Sequence, residues 1–321
     1  MRPDTPSGTR TVADVGEFAL IRAATEGRTQ PPTTLLGPGD DAAVVAAPDG
    51  RAVATTDVLV ENVHFRLDWS TPEQVGRKAV AVNLADLAAM GAVPTGLLIG
   101  LACPPQTPAD LVTALVNGIW QEAARAGTAV VGGDVVSSPT LTLSVTALGD
   151  LGGRAPVTRS GAMPGDVVAV LGRLGWSAAG FAVLGRGFRS PVAVVNAHRF
   201  PEPPYQGGPQ AALAGATAMI DVSDGLLADL GHLAAASSVA IDVQSGLVEV
   251  HQRLAEVASA LGADPLRWVL TGGEDHALAA TFPGQAAVPD GWRTIGTVTR
   301  GTEVTVDGEP YENPGGWQHF R

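Results

Sequence analysis

Aspartates that stand beside small residues recur along the sequence, and they are the side chains best suited to chemistry. One of them, Asp57, follows Thr55 and Thr56 at the end of an apolar run, and His64 stands seven residues further on. A carboxylate beside Gly, Ala, Ser or Thr has little steric cover, and Mg²⁺ prefers such oxygen ligands and shares them with substrate phosphates. The other aspartate segments are Gly39-Asp40-Asp41-Ala42, Asn83-Leu84-Ala85-Asp86, Gly132-Gly133-Asp134 and Asp221-Val222-Ser223-Asp224-Gly225.

Each segment also has a purely structural interpretation. The pair Asp40-Asp41 is typical of a turn and helix cap, Asp86 could lie on a solvated helix face, and Asp134 could sit in a type I turn. Asp224 could cap the helix expected near Leu226. Five such signals at strand ends together favour a shared cleft. Its carboxylates would repel one another without cations, and cations held there would neutralise phosphate oxygens during in-line transfer.

Composition excludes several other classes of function. A formal charge of −12 and a pI near 4.8 argue against nucleic acid or an anionic membrane as partner. The only lysine, Lys78, lacks the context of a P-loop or a protein-kinase strand. The single Cys103 excludes an internal disulfide, and no apolar stretch has the length of a signal peptide or membrane span. We therefore expect a cytoplasmic protein.

Apolar periodicity predicts which elements position these residues in the first half of the chain. Strands are expected over 42–47, 52–60, 95–103 and 140–148, the last alternating between apolar and hydroxyl side chains. A short strand over 129–131 should break off at Gly132. Thr71 and Pro72 predict the start of a helix that runs to about Met90, and a second helix should end at Gly127.

The second half shows the same mixture, so we predict an α/β (α+β) protein of two domains, 1–151 and 152–321. Strands are expected over 166–172, 218–220, 240–243, 277–282 and 293–299, and helices over 177–185, 209–217, 226–236 and 251–261. The segment 191–209 is too rich in proline for a regular element. The glycine-rich stretch 149–165 contains the predicted boundary.

The aspartate motifs, taken in their order along the chain, resemble those of the thiamine-monophosphate kinases. The resemblance covers nearly the whole chain. The run from Asn83 to Ala92 is shared with the wider aminoimidazole ribonucleotide synthetase superfamily, whereas His64-Phe65 and Gly272-Gly273-Glu274-Asp275 are typical of the kinases. The position after Asp275, usually Tyr in the family, is His276 here, and a segment that normally ends in Arg reads Pro203-Pro204-Tyr205.

The resemblance implies a fold, an assembly and a reaction. The N-terminal domain would be a mixed sheet with helices that forms a β-barrel across a homodimer, and the C-terminal α+β domain would close the active-site cleft. ATP would transfer its γ-phosphoryl group to thiamine monophosphate and give thiamine diphosphate directly, the last step of thiamine diphosphate biosynthesis. Several Mg²⁺ ions would assist, and whether K⁺ is also needed stays open.

The same resemblance assigns residues to roles. The catalytic residues would be Asp57, Asp86 and Asp134, the ATP contacts Gly133, Asp134, Arg159 and Ser223, and the thiamine monophosphate contacts His64, Glu274 and Trp317. The magnesium ligands would be Asp41, Thr55, Thr56, Asp57, Asp86, Asp134, Asp221 and Asp224. Two alternatives remain: another enzyme of the superfamily, or a nucleotide- or metal-binding module without activity. Selenophosphate synthetase needs an N-terminal Cys or selenocysteine, and the hydrogenase-maturation dehydratase a C-terminal Cys; the chain has neither.

Overall fold

The computed structural model describes residues 10–38, 43–312 and 315, and it divides into two compact units. The first unit contains the described residues up to Asn83 together with Pro94–Asp150. The second contains Leu84–Val93 and the described residues from Leu151 onward. Both units combine helices with β-sheets, as predicted for the α/β class. The sequence-based boundary at 151/152 did not anticipate that Leu84–Val93 belongs with the second unit.

The first unit is built on a mixed four-stranded sheet. Its strand order is β3-β6-β4-β5, with β3 and β6 antiparallel and β4 and β5 parallel, and β1 and β2 form a separate antiparallel pair. Among the described residues these strands form no closed barrel. The elements are α1 (Val12–Val15), α2 (Glu17–Thr25), β1 (Thr34–Leu36), β2 (Val44–Val45), β3 (Val53–Val60), α3 (Pro72–Ala89), β4 (Val93–Cys103), α4 (Ala109–Ala126), β5 (Val130–Ser137) and β6 (Thr142–Asp150).

Helix α3 begins where its sequence predicts. The Thr71 hydroxyl accepts from the amide of Gln74, and the Gln74 side chain accepts from the amide of Thr71, which forms a capping box. Further along, α3 crosses α4 at very short distance, because a Cβ on Gly76 would overlap the carbonyl oxygen of Leu115 and one on Gly118 that of Glu73. Glycine at both positions allows the two backbones to touch.

The second unit contains a seven-stranded sheet in the order β13-β12-β9-β11-β7-β10-β8. Neighbouring strands pair antiparallel except β9 and β12, which are parallel. Short 3₁₀ turns lie at Ser245–Leu247 and Gln285–Ala287. The elements are β7 (Val167–Leu171), α5 (Trp176–Gly185), α6 (Val192–Arg199), α7 (Gly207–Leu213), β8 (Ala218–Val222), α8 (Leu226–Ser237), β9 (Ala240–Val243), α9 (Gln252–Leu261), α10 (Pro265–Thr271), β10 (Ala277–Phe282), β11 (Arg293–Thr299), β12 (Val304–Val306) and β13 (Glu309–Pro310).

The end of α3 packs into the core of this second unit. Ala88 and Ala89 lie in one buried cluster with Met219 of β8 and Phe282 of β10. The Met90 carbonyl accepts from the amide of Val157, just beyond the division at Asp150. Burial of these small side chains explains why a segment from the first half of the sequence belongs with the second unit.

Two predictions about elements are wrong. Segment 191–209 contains helix α6, because Pro191 occupies the position before the helix, where proline costs nothing, and Pro201 follows its end. The strand predicted to stop at Gly132 continues through both glycines to Ser137 as β5. Among the described residues, no helix has both the length and the apolar character to cross a membrane.

Candidate functional site

In the first unit, Asp57 lies on an edge strand that a buried amide holds in place. In the described part of the chain β3 pairs only with β6, and the backbone N–H of Asp57 donates instead to Oδ1 of Asn83, at 2.9 Å. The Asn83 amide nitrogen donates to the Ala79 carbonyl, at 2.9 Å, within α3. Asn83, fully buried, therefore fixes the backbone that carries the Asp57 carboxylate.

The predicted threonine ligands lie on different faces of the same strand. Side chains alternate along β3, so Thr55 shares a face with Asp57 and Thr56 points to the other. The Thr56 hydroxyl donates to the Val145 carbonyl, at 3.0 Å, and accepts from the Thr146 hydroxyl, at 3.1 Å. The structure thus brings the Thr55 and Asp57 side chains to one face and does not bring the Thr56 hydroxyl there.

The loop that carries His64 is folded back on the end of β3. Nδ1 of His64 accepts from the backbone N–H of Val60, at 3.0 Å, so the ring carries its proton on Nε2 when neutral. Asn62 adopts a left-handed backbone conformation, with φ of 67°, and the Lys78 ammonium donates to the His64 carbonyl, at 2.9 Å. The only lysine of the chain, which is buried, therefore stabilises this loop.

Gly133 and Asp134 lie within a strand and not in a turn. A Cβ on Gly133 would overlap the carbonyl oxygen of Ile99 in the neighbouring β4, so close strand packing is one physical reason for glycine here. Asp134 is exposed, and its Oδ1 accepts from the amide of Val135, at 2.9 Å. The type I turn considered for Asp134 is therefore excluded.

In the second unit, three aspartates stand close together where β8 leads into α8: Asp221 in β8, Asp224 in the loop and Asp229 in α8. The buried Asp229, in the first turn of α8, accepts from the backbone amides of Asp224 and Gly225, at 3.0 Å each. Asp229 thus binds the two amides that precede the helix, and the N-cap of α8 is Gly225, not Asp224. Burial, together with the nearby charges of Asp221 and Asp224, raises the pKa of Asp229 to about 7, although the bonds from the two backbone amides oppose the shift.

The segment Gly272–His276 packs against this loop and sends three consecutive side chains to three partners. Glu274 lies 3.5 Å from Nδ1 of His198, which is also bonded to the Ser177 hydroxyl. Asp275 accepts from the amides of Gly175 and Ser177 at the start of α5, at 2.5 and 2.8 Å. His276 bonds Asp221. The motif that carries the predicted substrate residue Glu274 is therefore tied to three other elements of its unit, α6, α5 and β8.

Asp86 and the predicted ATP residues occupy less enclosed positions. Asp86 lies on α3 in the stretch that belongs to the second unit, is half-buried, and its charge helps to raise the pKa of His276. Arg159 is exposed, and its carbonyl accepts from the Ser237 hydroxyl, at 2.8 Å. The carbonyl of Ser223 accepts from the amide of Glu274, at 2.7 Å. The predicted residues Asp41 and Trp317 lie outside the described residues.

The donor set of the β8–α8 loop fits a hard divalent cation. Asp224, Asp229 and His232 can each bring one ligand atom within 4.8 Å of the others. A cation would offset the mutual repulsion of the carboxylates, which adds to the effect of burial in raising the pKa of Asp229. Asp57, Asp86 and Asp134 supply the same oxygen chemistry elsewhere in the chain.

Sequence reasoning missed several residues that support these groups: Asn83, His198 and Asp229. The sequence does contain a signal for Asp229, because acidic residues are enriched in the first turn of a helix, where they stabilise its N-terminal end. The partners of His198 lie 21 and 76 residues away in the chain, so no local pattern indicates them. Asn83 lies in a helix and binds an amide of an edge strand, and the sequence gives no sign of this contact. Contacts of that kind leave no pattern in a single sequence.

Comparison with known proteins places this chain in a class of enzymes. Residues 39–151 match the family model described as AIR synthase related protein, N-terminal domain. The chain is 55% identical over 312 residues, 97% of its length and 93% of the relative's, to thiamine-monophosphate kinase from Mycobacterium tuberculosis. The chain belongs to the thiamine-monophosphate kinase family. The predicted family and class of enzyme are thereby confirmed.

Solved structures agree with this assignment. The crystal structure of thiamine-monophosphate kinase from Stenotrophomonas maltophilia K279a has a TM-score of 0.78 and 34% identity, over 91% of this chain and 95% of that one. A structure described as AaThiL complexed with AMPPCP and TMP also has a TM-score of 0.78, with 33% identity over 98% of this chain and 100% of that one. The similarity extends over both units of the chain.

Proposed function

We propose that this chain transfers the γ-phosphoryl group of ATP to the phosphate of thiamine monophosphate and releases ADP and thiamine diphosphate. The observation that carries the proposal is the 55% identity to a thiamine-monophosphate kinase over 97% of the chain. The similarity to a protein described as complexed with AMPPCP and TMP supports both substrates. The transfer is direct and in line, without a phosphoenzyme, and makes the cofactor form of thiamine.

Magnesium is held, in this proposal, by the aspartate set. Asp57, Asp86, Asp134, Asp221 and Asp224 provide carboxylates, and Asp41 and Thr55 are further predicted ligands, whereas the Thr56 hydroxyl lies on the other face of β3. Bound Mg²⁺ supplies charge neutralisation and alignment of phosphate oxygens. The protein's own contribution is to hold its carboxylates in place: Asn83 fixes the Asp57 backbone, and Asp229 holds the amides of Asp224 and Gly225.

The acceptor needs little activation by the protein. The phosphate of thiamine monophosphate is already ionised, so no strong general base is required, and the main barrier is repulsion between two anions. His64, whose ring keeps an N–H at Nε2 in the neutral form, suits donation to a phosphate or ring acceptor. Glu274 suits the cationic thiazolium or the aminopyrimidine, with Trp317 as an aromatic wall. Gly133, Asp134, Arg159 and Ser223 are assigned to ATP.

A direct assay tests the reaction. Purified protein is incubated with ATP, Mg²⁺ and thiamine monophosphate, and thiamine diphosphate is measured by chromatography; free thiamine serves as the negative substrate. We expect diphosphate only from the monophosphate. No product, with ATP consumed in the presence of formylglycinamidine ribonucleotide, would assign the chain to the synthetase branch instead. Nucleotide binding without turnover at saturating Mg²⁺ would indicate a binding module.

The same assay tests the aspartate set. Asp57→Asn should lower kcat by at least about 100-fold, because removal of one charge from a metal-binding carboxylate weakens transition-state stabilisation. The circular dichroism spectrum and unfolding midpoint should stay close to those of the unmodified protein, since Asp57 is exposed and its backbone N–H is retained. Near-normal turnover would remove Asp57 from the metal site.

A further inference from the structure

His276 and Asp221 form a buried side-chain pair that the proposed roles do not use. Nδ1 of His276 lies 3.0 Å from Oδ2 of Asp221, and both residues are at least nine-tenths buried. Because an ionised carboxylate can only accept, Nδ1 is the donor. This bond engages Oδ2 and leaves Oδ1 as the oxygen of Asp221 with which to bind another group.

The pair is not required to hold its two strands together. Backbone pairing already joins Asp221 to Leu278 and Val222 to Ala277 across β8 and β10. Beyond the end of that ladder, the His276 amide donates to the Val222 carbonyl, at 2.9 Å. The backbone is therefore fixed without the side-chain bond, and what this bond contributes is the orientation of the Asp221 carboxylate.

The backbone around His276 adopts a conformation that side chains rarely take. Glu274 and His276 both have positive φ, 64° and 52°, and neither is glycine, asparagine or aspartate. Such conformations are strained in residues other than glycine, and they cluster at active sites and ligand-binding segments. In this segment the left-handed turn directs the imidazole of His276 towards Asp221.

We propose that His276 is a positioning residue, which orients the carboxylate of Asp221 for binding of a divalent cation in the phosphoryl transfer proposed above. The proposal rests on that proposed function for its role in catalysis, but the cation affinity can be measured independently. Partners that hold a metal-binding carboxylate typically change metal affinity by about 10–100-fold when they are removed. Although burial lowers the pKa of His276, the bond to Asp221 and the charges of Asp221, Glu274 and Asp86 raise it overall, which agrees with a stable bond.

Two variants of His276 with similar polarity can separate its effect on the orientation of Asp221 from its effect on core packing. In His276→Asn, the amide nitrogen can occupy the place of Nδ1 and donate to Asp221, whereas in His276→Gln it reaches the place of Nε2, away from that oxygen. His276→Phe keeps the ring and removes the donor. The dissociation constant of Mn²⁺, used alone as a spectroscopic probe, is measured for each variant by electron paramagnetic resonance, together with the thermal unfolding midpoint.

We expect His276→Gln and His276→Phe to weaken Mn²⁺ binding about 10-fold or more, and His276→Asn to stay within about 3-fold of the unmodified protein. In the kinase assay, the Mg²⁺ concentration for half-maximal rate should follow the same order, while KM for thiamine monophosphate stays unchanged. Equal Mn²⁺ affinity in all four proteins, or equal losses in Asn and Gln, would overturn the proposal. If His276→Phe does not fold, the Asn and Gln pair still decides.

The two proposals fail separately. If the unmodified protein makes no thiamine diphosphate while the Mn²⁺ affinities follow the expected order, His276 positions a cation ligand and the assigned reaction is wrong. If thiamine diphosphate is formed and the variants bind Mn²⁺ equally, the reaction stands and the positioning role of His276 is wrong.

Discussion

At the residue scale, the candidate site depends on buried polar groups that have no catalytic chemistry of their own. Asn83, Asp229, Asp275 and His276 are all buried, and each bonds the backbone or carboxylate of another residue in its unit. A buried polar group left without its partner costs about 1–3 kcal/mol. Loss of any of these four residues should therefore disturb the segments that carry the residues assigned to substrate and cation.

Asn83 gives the first test of this dependence. Asn83→Leu removes both the bond to the Asp57 amide and the bond to the Ala79 carbonyl, so we expect the free energy of unfolding to fall by about 1–3 kcal/mol. Hydrogen exchange of the peptide that contains the Asp57 amide should become faster, as measured by mass spectrometry. Asn83→Asp, which keeps the acceptor, is the matched control and should protect that amide better than Leu does. Unchanged exchange in Asn83→Leu would contradict the proposed role.

Asp275 predicts a pH dependence of stability. Burial raises its pKa from 3.8 to about 7, although bonds from the Ser177 and Gly175 amides oppose the shift. Between these pH values the folded protein binds a proton that the unfolded chain has released, so the free energy of unfolding falls as the pH rises. The contribution of Asp275 is complete below about pH 4 and is lost as the pH passes 7.

Urea unfolding at pH 5 and pH 7.5 measures this contribution. Asp275→Asn cannot titrate, so the stability difference between the two pH values should be smaller in the variant than in the unmodified protein. Comparing the two proteins cancels the other titrating groups, among them Asp229, whose pKa burial also raises to about 7. Asp264→Asn, at the exposed cap of α10, is the control for replacing a carboxylate that accepts from a backbone amide with a carboxamide. Identical pH dependence in Asp275→Asn would refute the assignment.

At the element scale, the sequence predicted most strands and helices because their signals are local. The alternation of β6 and the caps of α3 and α4 could be read directly from residue types. Helix α6 was missed because proline counts against a helix only when it lies inside it, and here Pro191 precedes the helix. The path of β5 through Gly132 was missed because its pairing partner, β4, lies about 30 residues earlier in the chain.

The candidate site was predictable to a similar extent. The aspartate motifs could be found from the sequence, whereas the division of Thr55 and Thr56 between two faces of β3 required the strand register. Asp229 lies beside a motif that was found, but its two bonds to loop amides depend on the three-dimensional turn. The positions of candidate site residues can thus be inferred from residue types, whereas the hydrogen bonds that hold those residues in place cannot.

The crossing of α3 and α4 gives a prediction at this scale. Gly118→Ala places a methyl group against the Glu73 carbonyl, so the helices must separate, and overpacking of this kind costs about 1–3 kcal/mol. The midpoint of urea unfolding should fall. Gly231→Ala is the control, because this glycine also lies in a helix, α8, with no atom near the added Cβ. Since alanine favours a helix by about 1 kcal/mol, its midpoint should rise. A rise for both variants would show that the crossing tolerates a side chain.

At the scale of the whole molecule, the four-stranded sheet has one covered and one uncovered face. Leu143, Val145 and Ala147 of β6 are buried, whereas the residues between them are only partly covered. Val58 of β3 pairs with Ser144, and a Cβ on Gly100 of β4 would lie 3.5 Å from the Ser144 Cβ, so these positions share the second face. Exposed apolar side chains lie along it at Val58, Leu98 and Val136.

An apolar sheet face of this kind is suited to a second copy of the chain, and the resemblance to the thiamine-monophosphate kinases implies a homodimer through the N-terminal domain. We predict that light scattering after size exclusion gives twice the mass of 32.6 kDa. Val136→Glu should shift the protein towards the monomer, because a charge in a buried contact is strongly unfavourable. Leu213→Glu, at a more exposed position in the second unit, is the control and should leave the mass unchanged. A monomer for the unmodified protein, or a dimer that survives Val136→Glu together with substitutions of Val58 and Leu98, would show that this face does not form the dimer contact.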